Sequence, residues 1–303
     1  MKACRPLSCW ALLAIALSVS PAAPARGGST INSANAFAYG ANVGWTNWRA
    51  SSADGVSIGE FICSGYIWAA NVGWINVGNG TPANNIRYAN NSAADFGLNY
   101  TLDPAQPGFA LLRGYAYGAN IGWINFETTG NPRISLLTGR LSGYAYSANC
   151  GWIRLDAVTG RVQTDSVAMG LDTNGNGIAD AWEYLYYGAL LGPGGQNADP
   201  LGTGRTNLEH YLDGTNPTQA DSILRITDFA TSGSGTNSLL TWTSNTGRLY
   251  TIETTPHLLE PWTVDPTFGE VFAPDAGGRT TRQIAGSPSP QRLFRIRAVR
   301  PLP

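Results

Sequence analysis

The sequence predicts a mainly β protein: a repeated β-hairpin array, a short helical calcium-loop module and a C-terminal immunoglobulin/fibronectin-like β-sandwich. Three observations carry this. One aromatic phrase recurs four times between residues 36 and 155. An Asp/Asn/Gly-rich loop with calcium-ligand spacing stands at 172–183. Residues 222–303 form short alternating segments punctuated by Gly, Pro and Asp. Composition agrees, since only 13% of the 303 residues are charged and 11% are aromatic. Such a chain is too aromatic for disorder and too poor in charge for a coiled coil. The net charge of −1 leaves no basic footprint for nucleic acid.

Residues 1–25 read as a signal peptide. Lys2 and Arg5 form the positive region, Trp10 to Val19 the apolar run, and Ala23-Pro24-Ala25 the small-x-small cleavage site. The run falls short of the roughly 20 apolar residues that span a bilayer. The expectation is therefore a protein that is secreted, cell-surface or periplasmic, with no membrane span after cleavage. Cys4 and Cys9 leave with the signal, and Cys63 and Cys150 remain in a compartment that permits a disulfide. Cys63 lies just ahead of its repeat and Cys150 within a repeat turn. They reach bonding range, about 7 Å between Cα atoms, only if the second and fourth repeats run oppositely. The spacing leaves bonded and free forms open.

The repeat domain is placed at 26–165. Its copies are Ala36–Trp48, Gly65–Val77, Gly114–Phe126 and Gly143–Leu155, sharing the invariant core Ala-Asn-x-Gly-Trp. Trp45, Trp74, Trp123 and Trp152 are spaced 29, 49 and 29 residues apart, which reads as two pairs with an insertion near 78–113. Each copy predicts a hairpin. Tyr115 and Tyr117 share one strand face, Ala-Asn-x-Gly makes the turn, and the return strand sets Trp123 and Asn125 against Ile124 and Phe126. Four equivalent tryptophans are expected to stack as the core, each aromatic burying roughly 150–250 Å². The alternative is an exposed aromatic row that stacks on sugar rings. Sandwich, barrel and solenoid closures all fit the pattern.

The third prediction, a module at 166–221, rests on Asp172-Thr-Asn-Gly-Asn-Gly-Ile-Ala-Asp-Ala-Trp-Glu183. Ca²⁺ takes six to eight hard oxygens, and a twelve-residue loop supplies them from alternate positions, with Gly at the sharp turn and a closing Glu. The ligands expected are Asp172, Asn174, Asn176, Ile178 through its carbonyl, Asp180 and Glu183. The plainer reading is a Gly-rich turn ahead of a capped helix. A degenerate second loop begins at Asp199, with Gly204 sixth and Asn207 ninth; Asp199 and Asn207 are weaker candidate ligands. Thr206 and Glu209 predict a capping box for the helix behind it.

Residues 171–217, ending Gly-Thr-Asn-Pro217, resemble the thrombospondin type 3-like, or dockerin-like, calcium repeats of secreted bacterial proteins. The resemblance implies calcium-dependent structure in a linker or surface module. The Gly-Tyr-Ala-Tyr-Ser-Ala-Asn-x-Gly-Trp-Ile phrases also look like repeats of exported bacterial proteins, which implies no activity.

The C-terminal segment carries strand signals at 223–227, 239–243, 249–253, 262–264 and 293–299, from which the sandwich at 222–303 is predicted. No Gly-x-Ser-x-Gly elbow occurs, no acidic pair recurs at equivalent repeat positions, and the only histidines are His210 and His257. No catalytic residue is nominated. The leading expectation is a secreted or surface-associated, calcium-stabilised structural or adhesive protein with a cell-envelope or extracellular glycan or protein partner. A carbohydrate-binding protein using the repeat aromatics is the alternative, and a secreted glycan hydrolase the third.

Overall fold

A computed structural model describes residues 28–231, 237–285 and 292–303. The expected signal peptide lies outside the described residues. The chain is mainly β and antiparallel.

Each aromatic phrase forms one hairpin. The pairs are β1 (Ile31–Gly40) with β2 (Gly44–Asn47), β3 (Tyr66–Ala69) with β4 (Gly73–Asn76), β5 (Phe109–Gly118) with β6 (Gly122–Asn125), and β7 (Tyr144–Ser147) with β8 (Gly151–Arg154). Neighbouring hairpins pair antiparallel through β2–β3, β4–β5 and β6–β7. Pairing of β8 with β1 closes the circuit into an eight-stranded up-and-down barrel. Closure removes every free edge from the hairpin set.

The interior is built in layers of four. At the turn end lie Val43, Val72, Ile121 and Cys150, and below them Thr46, Ile75, Ile124 and Ile153. Trp48, Val77, Phe126 and Leu155 close the opposite end, with Trp48 edge-on to Phe126 at 6.1 Å. Facing strands contribute small residues, among them Ala38, Ala69, Ala116 and Ala145. An eight-stranded barrel has an interior only wide enough for side chains to fill, so small residues on one strand make room for isoleucines on the next.

The tryptophans expected in the core are outside it. Trp45, Trp74, Trp123 and Trp152 retain 43, 48, 43 and 45% of their surface. Ala and Ile have taken the interior face, and four indoles do not fit a barrel of this radius. The disulfide left open by the sequence is not formed: Cys63 and Cys150 are both buried free thiols. Burial in apolar surroundings pushes the Cys63 thiol up to about 12.

The loop module packs its own small cluster of Ile178, Ala179, Trp182 and Tyr211, against which Phe61 of the repeat region also lies. Helix α1 spans Asp180–Tyr187 and ends at Gly188 in left-handed conformation. Helix α2 spans Asn207–Asp213, with the Thr206/Glu209 capping box formed in both directions. Three segments are tied at one point. Tyr211 donates its hydroxyl to Glu60 at 2.9 Å, and Arg300 pairs with the other Glu60 oxygen at 2.6 Å. Arg248 donates to the carbonyls of Tyr211 and Leu212 at the end of α2.

Beyond residue 222 the described strands are β9 (Ile226–Thr231), β10 (Asn237–Thr243), β11 (Leu249–Thr255), β12 (Thr263–Val264), β13 (Arg279–Ala285) and β14 (Leu293–Val299). They form two three-stranded sheets, β9-β10-β13 and β12-β11-β14, around Leu240, Trp242, Tyr250, Ile252 and Ile284. This arrangement does not match the seven-stranded immunoglobulin pattern. Pro256, Pro261, Pro266 and Pro274 interrupt the stretch between β11 and β13, and proline cannot donate to a ladder. Only the two-residue β12 survives there.

Candidate functional site

The invariant residues of the repeat have distinct places. In each turn the glycine adopts the left-handed conformation, with φ of 77° at Gly44, 81° at Gly73, 69° at Gly122 and 75° at Gly151. A side chain there would be strained. The asparagine two positions earlier bridges hairpins. Asn71 donates to the Val43 carbonyl at 3.2 Å, Asn120 to Val72 at 3.1 Å, Asn149 to Ile121 at 3.1 Å and Asn42 to Cys150 at 3.2 Å. The four bonds form a closed ring around the turn end of the barrel. Each amide reaches the turn of the preceding hairpin, and the first hairpin completes the circle through the fourth.

The tryptophan after the glycine faces outward, opposite an aromatic on its partner strand. Tyr39–Trp45, Trp68–Trp74, Tyr117–Trp123 and Tyr146–Trp152 are each cross-strand neighbours with ring centroids 4.9 Å apart and planes inclined at 58–61°. A further ring flanks each tryptophan, namely Phe37, Tyr66, Tyr115 or Tyr144, at 6.0–6.5 Å. The result is a girdle of twelve aromatic side chains around the barrel.

Polar groups are set into the girdle at each seam. Asn47 stands opposite Trp68, Asn76 opposite Tyr117 and Asn125 opposite Tyr146. Arg154 holds the equivalent place opposite Tyr39 and pairs with Asp156 at 3.0 Å in an exposed ion pair. The three asparagines accept a backbone N–H two residues ahead through Oδ1. Their NH₂ groups have no partner among the described residues. In the four hairpin phrases Arg154 is the only charged residue. The surface therefore offers ring faces, amide donors and almost no charge. No local signal in the sequence sets the outward placement, because the opposite face is nearly all apolar as well: Ala38, Ile67, Ala116 and Ala145 precede the Trp-facing positions, and Thr46, Ile75, Ile124 and Ile153 follow the tryptophans.

The calcium-type loop draws together part of its predicted ligand set. Glu183 is fully buried and receives Asn176 Nδ2 at 2.6 Å and Asn174 Nδ2 at 3.2 Å. Asp172 takes the N–H groups of Asn176 at 3.1 Å and Gly177 at 2.9 Å, and Asp180 that of Thr173 at 2.8 Å. Ile178 is buried, with its N–H on Asn176 Oδ1 at 2.8 Å. Among the described residues no three Asp, Glu, His or Cys side chains gather as a metal-binding group. Asn174 and Asn176 turn their NH₂ groups toward the buried Glu183 carboxylate, and the carboxylate and amide oxygens carried by the loop are of the hard-oxygen type that calcium takes.

The second loop copies this backbone. Asp199 takes the N–H groups of Thr203 at 2.9 Å and Gly204 at 2.7 Å, the same fifth and sixth positions, and these bonds hold its carboxyl below the usual carboxylate range. Asn207 is committed elsewhere, accepting the Tyr187 hydroxyl at 2.6 Å and donating to the Gly195 carbonyl at 2.8 Å. His210 replaces the closing glutamate, is buried, and bonds Thr215 Oγ1 through Nδ1 at 2.7 Å. Burial lowers its pKa against the opposing pull of Asp199 and Glu209.

Among the described residues no helix is long and apolar enough to cross a membrane. Comparison with protein-family models, with curated proteins and with solved structures finds no match to this chain.

Proposed function

We propose that this is an exported, non-catalytic protein that binds glycans through the aromatic girdle and is stabilised by calcium at the 172–183 loop. The observation that carries the reading is the outward placement of four Trp-centred clusters at equivalent positions. Holding so much aromatic surface in water forgoes hydrophobic stabilisation, roughly 25 cal/mol per Å². A purely structural role, in which the tryptophans fill the core, does not account for it. Rings of this kind stack on the C–H faces of sugars, and the seam amides supply hydrogen bonds to hydroxyls. A membrane-spanning girdle is disfavoured by length: the four-residue hairpin strands rise about 13 Å, against a hydrocarbon core of about 30 Å.

Calcium fits the donor set of the first loop. Asp172, Asn174, Asn176, the Ile178 carbonyl, Asp180 and Glu183 would hold the ion, which would neutralise the buried Glu183. The loop leads into α1, and α1 packs with α2 at the point where Glu60, Tyr211, Arg248 and Arg300 join three parts of the chain. An ion there stiffens the platform that carries the barrel.

The test is affinity electrophoresis of the full chain through gels containing uncharged polysaccharides, followed by titration of intrinsic tryptophan fluorescence. Retardation and a saturable fluorescence change are expected, both lost on replacing Trp45, Trp74, Trp123 and Trp152 together by Thr, a residue that keeps strand propensity. Unaltered migration and fluorescence across a broad panel of neutral glycans would reject the reading.

A further inference from the structure

A cleft of about 140 Å³ lies where the repeat domain, the helical module and the C-terminal strands meet, and none of its lining residues belongs to the aromatic girdle. Phe61, Tyr100, Trp182 and Tyr186 give it aromatic walls, and Leu185, 44% exposed, brings it to solvent. Most polar groups around it are committed within the protein. Glu60 is held by the Tyr211 hydroxyl and by Arg300. Arg248 donates to the carbonyls of Tyr211, Leu212 and Gly247.

Two groups are left over. Arg87 comes from the insertion between the second and third hairpins, with its guanidinium over the Phe61 ring at 5.5 Å. Its Nε is buried and has no acceptor among the described residues. No described carboxylate pairs with it, and the ionisable side chain that acts on its charge is Tyr186. Burial pulls its pKa below the ordinary arginine value. Tyr100 stands on the strand Leu98–Leu102 and retains 4% of its surface. Its hydroxyl has no hydrogen-bond partner among the described residues, whereas those of Tyr211 and Tyr250 are bonded. Buried polar groups in a native protein nearly always have partners, and an unpaired guanidinium among rings is the costlier case. The charged residues of the cleft are Arg87, Arg248 and Glu60, and Glu60 is already neutralised by Arg300, so the uncompensated charge is positive.

We propose that this cleft is a second binding site, independent of the girdle, for a small organic acid with an apolar body, whose carboxylate pairs with Arg87 and to which Tyr100 donates its hydroxyl. A guanidinium presents a planar fork of donors that matches a carboxylate, and such charge-assisted bonds are the strong ones. The rings of Phe61 and Trp182 take the apolar body. The ligand is small, because sites for drug-sized molecules enclose roughly 300–1,000 Å³. Its residues come from three separate parts of the chain, so the site exists only in the folded whole.

The experiment is isothermal titration of the full chain, in calcium-containing buffer, with phenylacetate and with hexanoate. At least one of them should bind at one site per chain. For phenylacetate, two controls separate the parts of the interaction. Phenylacetamide keeps the shape without the charge, and inorganic phosphate keeps a charge without the apolar body; each should bind at least tenfold more weakly. For hexanoate the corresponding controls are hexanamide and phosphate. Arg87→Met, which keeps the stem against Phe61, should weaken binding at least tenfold, and Arg87→Lys should restore part of it. Tyr100→Phe should weaken it severalfold. Far-ultraviolet circular dichroism and melting without ligand check that each variant is folded, and retardation by polysaccharide should be the same as in the parent. If Arg87→Met does not fold, the comparison of acid with amide in the parent decides the matter. Equal binding of acid and amide, or undiminished binding by folded Arg87→Met, overturns the proposal. Phosphate binding as tightly as the acid overturns it in favour of a simple anion site. No binding of either acid at millimolar concentration overturns it and leaves the cleft to water. None of these outcomes bears on glycan binding by the girdle, which the polysaccharide gels read separately.

Discussion

Asn120→Ala removes one link of the amide ring that clasps the turn end of the barrel. In the folded protein Asn120 Nδ2 meets the Val72 carbonyl at 3.1 Å, and the other three links are 3.1–3.2 Å. A hydrogen bond of this kind contributes a net of about 0.5–1.5 kcal/mol. Four of them contribute about 2–6 kcal/mol, a large share of the ~5–15 kcal/mol that separates a native domain from its unfolded state. Asn120→Ala should therefore lower the urea-unfolding free energy by about 1 kcal/mol with an unchanged slope. Asn120→Asp is the sharper probe. It keeps the side-chain shape but replaces the donor by a carboxylate facing a carbonyl oxygen, so it should cost at least as much as alanine. The same change at Asn42, which joins the first hairpin to the fourth, tests closure itself, because that bond spans the point where the ends of the barrel meet. Urea unfolding followed by circular dichroism measures all three variants. Midpoints equal to the parent for both Asn120 variants would refute the clasp. The invariant asparagine would then be explained by its turn conformation alone.

Calcium should raise the melting temperature of the full chain, and chelator should lower it. With a dissociation constant near ~10 µM and ~1 mM ion the gain is about 2.7 kcal/mol. Glu183→Gln or Asp172→Ala should abolish the calcium response and Asp199→Ala should weaken it only in part, with titration calorimetry at millimolar calcium as the deciding measurement. His210 should make the protein acid-sensitive. Burial lowers its pKa in the folded state, so its contribution is fully present above the unfolded value of about 6.5 and is lost as pH falls through the lower folded value. Melting curves between pH 7 and 5 should show this, and His210→Gln should flatten that part of the profile. Cys63, buried and with its thiol pushed up to about 12, should resist thiol reagents in native protein and react on unfolding. Rapid native labelling at Cys63, read by mass spectrometry, would contradict the packing described.

The loop and the last strand show how far local pattern reaches. Asp172, Gly177 and Glu183 are set by a twelve-residue spacing, and the backbone winds around Asp172 as that spacing requires. The capping box of Thr206 and Glu209 depends on residues three apart and forms as expected. In β14 the alternation of Phe294, Ile296 and Ala298 with Arg295 and Arg297 selects the packed face directly, because one face is apolar and the other charged. The sandwich at 222–303 was less legible, since strand signals do not state how many strands each sheet receives.

In the repeats the sequence by itself determined the hairpins: period-two alternation makes the strands, and Asn-x-Gly, with its left-handed glycine, makes the turns. It did not determine which face is inside, because both faces are apolar, Trp and Tyr on one, Ala and Ile on the other. Tertiary structure decided that. Once β8 pairs with β1 the sheet becomes a narrow closed barrel whose interior admits alanine, isoleucine and valine and excludes four indoles. The largest apolar side chains are left on the convex face, where the circumference is wide enough to hold them and where a ligand can reach them.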